Sequence, residues 1–175
     1  MITSDRIKKF LQNSSGVWVF DIEANDLYHG VDRVHCIWII DAITRESVGF
    51  RPNEIVESLK LLETAKVTIG HNVCDYDNPA LRKLYPEFMP PASFDTLVIA
   101  RMLDPDRIQG HSLDSWGKTL GVFKDEFGKT ADWSTFTEEM YDYCYQDVNV
   151  NVELYLYLCK RAGFDPENPP VVELY

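Results

Sequence analysis

Apolar residues in this chain fall into short runs and helical repeats that outline one α/β domain. Val17-Trp18-Val19-Phe20-Asp21-Ile22-Glu23 is apolar at successive positions until its end, the pattern of a central strand buried on both faces. Arg33 to Asp41 and Ser47 to Arg51 read as two further strands joined by a tight turn near Thr44-Arg45, and Lys66 to Gly70 as a fourth. Helical spacing predicts Asp5 to Gln12 behind a Ser4 cap. It also predicts a helix opened by Pro52-Asn53 with Ile55, Val56, Leu59 and Leu62 on one side, and another from Pro79 to Tyr85 stopped by Pro86. Phe94 to Ala100 starts extended and continues as a helix, and Ser112 to Leu120 is a short helix closed by Gly121. From Thr137 to Ala162 runs one long helical pattern, with Glu138 and Glu139 in its first turn. Strands first, then strands alternating with helices, imply a central mixed β-sheet flanked by helices.

Composition narrows the function classes. The chain has 175 residues, 28 acidic against 17 basic, for a formal charge of -11. With 45% hydrophobic residues it can fill its own core, which excludes a disordered, collagenous or disulfide-stapled chain. The acidity argues against coating nucleic acid through non-specific charge, but not against gripping phosphate through metal ions. The excess is uneven: residues 132–175 hold 9 acids and 2 bases. No apolar run approaches the roughly 20 residues that span a bilayer, and no apolar stretch like a signal peptide's follows Lys8 and Lys9. The cysteines, Cys36, Cys74, Cys144 and Cys159, lack metal-knuckle spacing, so reduced thiols and a cytoplasmic location are expected, with no membrane partner.

Three groups of residues carry candidate chemistry. Asp21 and Glu23 alternate on one strand, so both carboxylates project from the same face. Two carboxylates held so close need a cation or donors to stay ionised, and oxygen ligands suit Mg²⁺ or Mn²⁺. On the long helix, Met140, Tyr143, Cys144, Val150, Leu154 and Leu158 form a core-facing stripe, and Asp147 falls on it. A carboxylate there is costly unless a cation or donors meet it, and Tyr143 lies one turn earlier, within reach of the same site. The third group is His71-Asn72-Val73-Cys74-Asp75-Tyr76-Asp77-Asn78-Pro79, where a strand passes into a helix. Physics alone does not choose between Asp75 and Asp77 as its functional acid.

Asp21-Ile22-Glu23-Ala24-Asn25, then His71-Asn72 with Tyr76-Asp77 and Pro79-Ala80-Leu81, then Tyr143-Cys144-Tyr145-Gln146-Asp147 resemble the three motifs of DEDD-type 3′→5′ exonucleases. The nearest likeness is to the proofreading domain of family A DNA polymerases of T-odd-type podophages. Phe94-Asp95-Thr96-Leu97, Gly110-His111-Ser112-Leu113 and Trp133-Ser134-Thr135-Phe136 resemble that domain too, so the likeness covers residues 17–160 in order. It implies the ribonuclease-H-like, DnaQ-type fold, with residues 1–16 as an N-terminal extension and 17–175 as the exonuclease domain. Tyr143-x-x-x-Asp147 fits the tyrosine branch, and no His lies between His111 and the C-terminus.

The resemblance selects Asp77 as the second-motif acid. It implies two Mg²⁺ ions, with Mn²⁺ as a substitute, held by Asp21, Glu23, Asp77 and Asp147, and a water oriented by Tyr143. The implied substrate is a single-stranded DNA 3′ end, cut to nucleoside 5′-monophosphates, in proofreading or phage DNA replication, and in a bacterial host's cytoplasm if phage-encoded. Ala24, Asn25 and Leu27 are placed for the terminal nucleotide, with Asn72 and Phe136 as further contacts and Lys118, Lys124 and Lys129 near the upstream backbone. A polymerase or another replication protein is an implied partner, the chain being either a stand-alone nuclease or one domain of a polymerase. Two rivals stand beside this reading: an exoribonuclease of the same superfamily, and a retired nuclease acting as an acidic DNA mimic or partner-binding module.

Overall fold

The structure, a computed structural model, describes residues 4–122 and 132–171. Five strands form one sheet: β1 (Val17–Ala24), β2 (Val34–Asp41), β3 (Ser47–Phe50), β4 (Val67–Gly70) and β5 (Ser93–Asp95), in the order β3-β2-β1-β4-β5. β1 is central, antiparallel to β2 and parallel to β4, so the sheet is mixed as expected. Among the described residues, six α-helices flank it: α1 (Asp5–Gln12), α2 (Ile55–Leu62), α3 (Asp77–Leu84), α4 (Thr96–Leu103), α5 (Leu113–Leu120) and α6 (Glu138–Ala162). Among the described residues, no helix is long and apolar enough to cross a membrane.

The alternation of β1 divides the core into two layers. Trp18, Phe20 and Ile22 point to one face and pack with Ile7 and Phe10 of α1, Leu59 and Leu62 of α2 and Leu81 of α3. Phe10 meets Trp18 edge to face at 5.1 Å, so α1 belongs to the same core as the sheet. Val17 and Val19 point to the other face, against Ile99 of α4, Trp116 of α5 and Val148, Val150 and Leu154 of α6. Each such fully buried aliphatic side chain stabilises the fold by about 1.5–3 kcal/mol before entropy is counted. The second row continues along β1 as Asp21 and Glu23, so strand periodicity aims both carboxylates at the α6 side.

Caps and turns set the helix limits. Thr137 caps α6 through Met140 N, Ser112 caps α5 through Ser115 N, and Gly163 and Gly121 close these helices in left-handed geometry. Three expectations change. Pro52–Glu54 forms a 3-10 turn, and the α-helix starts at Ile55. Val56 is 55% exposed: Ile55, Ser58, Leu59, Leu61 and Leu62 make the buried stripe, and Val56 lies about 100° round from Ile55. α3 begins at Asp77 rather than Pro79, with the proline in its first turn, where a missing N–H costs nothing.

Candidate active site

The acidic row of β1 faces α6. Asp21 pairs across the sheet with Trp38 of β2, and Glu23 with Cys36. Trp38 donates its indole N–H to the Tyr141 carbonyl at 2.9 Å and packs against the rings of Tyr141 and Tyr145, which clamps α6 onto β2. Gly49 makes room for that clamp, since a Cβ there would run into the Trp38 ring and the Tyr141 hydroxyl. At this end of α6, Tyr141 rather than Tyr143 is therefore buried, while Tyr143 is half-buried with its ring 6.1 Å from Trp133. His35 holds that neighbouring segment through its Nε2, 2.8 Å from the Trp133 carbonyl.

One carboxylate oxygen of Asp21, one of Glu23 and the Cys144 sulfur lie within 4.8 Å of one another. The thiol donates to the Asp21 carbonyl at 3.5 Å. Burial, then contact with Cys36 and the charges of Asp21 and Glu23, raise its pKa well above the usual thiol value. Cys144 is thus a neutral floor beneath the carboxylates, not a ligand for a hard cation. Asp147 follows three residues later on the same helix, 6% exposed, so α6 carries a buried acid along the face that meets β1.

Asp77 enters from the other direction. It opens α3, is 3% exposed, and its carboxylate lies close to the backbone amides of Ile22 and of its own residue. Burial outweighs the pull of those two amides, and with the charge of Asp95 it pushes the pKa up to about 7. Its Oδ1 is buried with no hydrogen-bond partner among the described residues. Asp75 is exposed, two residues away. Tyr76 lies between the acids: burial, then the charges of Asp77, Glu23 and Asp21, push its hydroxyl up to about 12, and that hydroxyl donates to the Asp26 carbonyl at 2.7 Å.

The nucleotide-contact candidates divide. Leu27 is 76% exposed on the loop after β1. Asn25 Oδ1 accepts the amides of Asp32 and Arg33, and Lys83 Nζ donates to the carbonyls of Tyr28 and His29, so this loop is held from both sides. Ala24 is buried, and Phe136 is half-buried against Tyr141 and the Cys36–Cys144 cluster. Asn72 adopts a left-handed φ of 67°. Lys118 pairs with Asp114 within α5, whereas Lys124 and Lys129 lie outside the described residues.

The sequence left Asp95 and Thr96 without a role. In the fold, Asp95 caps α4 and also receives the amides of Asn72 and Cys74, while Thr96 Oγ1 bonds Asn151 of α6. An acid directly after a strand and before a helical repeat signals the cap. The tertiary donors leave no sequence signal.

Oxygen donors predominate in this cluster, and a buried carboxylate oxygen without a partner is the feature a bound cation would satisfy, so the residues fit a hard divalent metal. No family model matches the chain. The DNA-directed DNA polymerase of Escherichia phage T7 is 36% identical over 194 aligned positions, covering 85% of this chain and 27% of the polymerase. The enzyme of Enterobacteria phage T3 is 34% identical over the same shares. The chain thus spans about a quarter of the length of these relatives. Among solved structures, Brucella melitensis NrnC superposes with a TM-score of 0.67 at 18% identity, over 88% of this chain and 77% of that one. Escherichia coli RNase D, an exoribonuclease, gives 0.66 at 16%, over 93% and 44%. The chain is thus similar in sequence to part of the T7 and T3 DNA polymerases, and its fold is the ribonuclease-H-like fold of solved exonucleases such as RNase D.

Proposed function

We propose that the protein is a metal-dependent 3′→5′ exonuclease that removes nucleoside 5′-monophosphates from single-stranded DNA ends, as a proofreading or replication-linked activity. The observation that carries the reading is the approach of Asp77 to the Ile22 amide, which brings an acid from α3 beside the Asp21–Glu23 pair of β1. The 85% coverage by phage DNA polymerases favours DNA as the substrate, presented by a polymerase or another replication protein. Brucella melitensis NrnC, which shares the fold, has been solved with bound Mg²⁺ and with pGG.

Asp21 would hold two divalent cations, Glu23 and Asp147 would complete the site of the first, and Asp77 would fix water on the second. Such a pair, Mg²⁺ or Mn²⁺, would supply hydroxide and offset charge on the leaving 3′ oxygen. Tyr143, half-buried one turn before Asp147 on α6, would orient the attacking water by a hydrogen bond. Leu27, on its braced loop, would contact the terminal base, with Asn72 and Phe136 lining the approach. Neutral Cys144 keeps the floor of the site free of thiolate charge.

The test is directional. Matched single-stranded DNA and RNA, with either the 5′ or the 3′ end chemically blocked, are incubated with Mg²⁺ and the products separated. Release of 5′-monophosphates from DNA with a free 3′ end, and none from 3′-blocked DNA, is the expected result. Release from RNA alone would move the substrate to RNA. No release from either polymer would overturn the enzymatic reading.

A further inference from the structure

The elements that carry Asp77 and Asp147 are tied to the same two residues at the junction of β5 and α4. Asp95 is almost fully buried and collects four backbone amides. Its Oδ1 accepts from Asn72 at 3.0 Å, Leu97 at 3.0 Å and Val98 at 3.3 Å, and its Oδ2 accepts from Cys74 at 3.1 Å. Two of those donors belong to its own helix; the other two belong to the turn that delivers the chain into α3. That turn is strained and close-packed. Asn72 sits at φ 67°, its carbonyl accepts from Asp75 and Tyr76, and a Cβ on Gly70 would lie 2.5 Å from the Val73 Cβ.

Thr96 reaches the remaining elements. Its hydroxyl lies 2.7 Å from Asn151 Oδ1 and 2.9 Å from His71 Nδ1, and His71 Nε2 lies 2.8 Å from the His111 carbonyl. Asn151 is buried and stands one helical turn beyond Asp147 on α6. Asp95 therefore fixes the entry to α3, and Thr96 fixes α6 against the first residue of the same turn.

Resting on the metal-site reading above, we propose that Asp95 and Thr96 are positioning residues that set the spacing of Asp77 and Asp147 without touching metal or substrate. Residues that orient metal ligands from behind characteristically change affinity by about 10–100-fold when altered. Asp95→Asn keeps the volume but replaces one acceptor oxygen with a donor facing backbone amides. Thr96→Val keeps the shape and removes the hydroxyl, and Thr96→Ser restores it.

The experiment measures Mn²⁺ binding to the full chain, without nucleic acid, by electron paramagnetic resonance, together with amide exchange and steady-state kinetics on single-stranded DNA. Near-ultraviolet circular dichroism identifies the variants that fold. Asp95→Asn and Thr96→Val are expected to weaken Mn²⁺ binding by about 10–100-fold, while Thr96→Ser stays within about threefold of wild type. kcat falls with the loss of metal while KM for DNA holds, and the Asn72 and Cys74 amides exchange faster only in Asp95→Asn. If Asp95→Asn does not fold, the Thr96 pair decides. Folded variants that bind Mn²⁺ as tightly as wild type would overturn the positioning role alone. A wild-type protein that binds no Mn²⁺ at millimolar concentration would overturn the metal-site reading, and this proposal with it.

Discussion

The Asp77 carboxylate lies close to the backbone amide of Ile22, the residue between Asp21 and Glu23, and so sets the start of α3 beside the acidic end of β1. The contact costs stability. Burial, with a smaller push from the Asp95 charge, raises the Asp77 pKa from 3.8 to about 7, so the folded protein holds a proton that the unfolded chain releases. Asp77 therefore lowers stability as pH rises from its unfolded value toward 7, and the full penalty applies above that range. In metal-free protein at pH 8, Asp77→Asn is expected to add on the order of 1–3 kcal/mol, shrinking to nothing near pH 3. Urea melts at both pH values check this; equal stability of the two proteins at pH 8 would contradict it.

The same burial distinguishes the two acids that the sequence left open. Asp75 is exposed, so Asp75→Ala should retain activity on single-stranded DNA within about threefold, while Asp77→Ala loses about 100-fold or more. Initial rates at saturating Mg²⁺ decide it, and the reverse pattern would move the second-motif role to Asp75.

Much of this site was legible because two periodicities are rigid. A strand repeats every second residue, so Asp21 and Glu23 had to share a face, and the valines before them say which one. A helix returns after three or four residues, which put Asp147 on the same side of α6 as buried Cys144. Tyr143 and Tyr141 were harder to rank, because the clamp of Trp38 on the Tyr141 carbonyl is a contact between elements about a hundred positions apart. Asp77 could not be told from Asp75 by pattern, since their burial depends on the left-handed turn at Asn72. Asp95 was hidden for the same reason: all four of its hydrogen bonds come from backbone amides, two of them on the distant Asn72–Cys74 turn, and every residue but proline offers one.

Asp41 marks where the fold is sensitive to acid. Burial alone would raise its pKa, but hydrogen bonds from Thr44, Ser15 and Ile43 outweigh that and hold it below 3.8. Its contribution is thus fully present above its unfolded value and is lost as pH falls through the lower folded value. Asp41→Ala should cost about 2–4 kcal/mol at pH 7, by leaving the α1–β1 and β2–β3 turns without their shared acceptor. The difference from wild type should narrow below pH 3. A loss under 1 kcal/mol at pH 7 would contradict this account.

Cys144 touches the acidic pair but is held neutral by its burial. Cys144→Ala should cost about 1 kcal/mol from the cavity and leave Mg²⁺-dependent cleavage within about threefold. Loss of cleavage in a folded Cys144→Ala protein would instead make the thiol part of the metal site.

Tyr143→Phe removes one hydroxyl from a half-buried ring. The expected change is a fall in kcat of about 10–100-fold with KM for single-stranded DNA unchanged, the signature of a group that orients the attacking water. A rise in KM at constant kcat would assign the ring to substrate binding.

Acids from β1, α3 and α6 are proposed to form one metal-dependent hydrolytic site. It is tested most directly on 5′-labelled single-stranded DNA, with wild type, Asp21→Ala and Asp147→Ala compared in Mg²⁺ and in chelator. The account predicts a ladder of products shortened from the 3′ end for wild type in Mg²⁺, and intact DNA in every other lane. A ladder that persists in chelator, or in either folded variant at the wild-type rate, would contradict it.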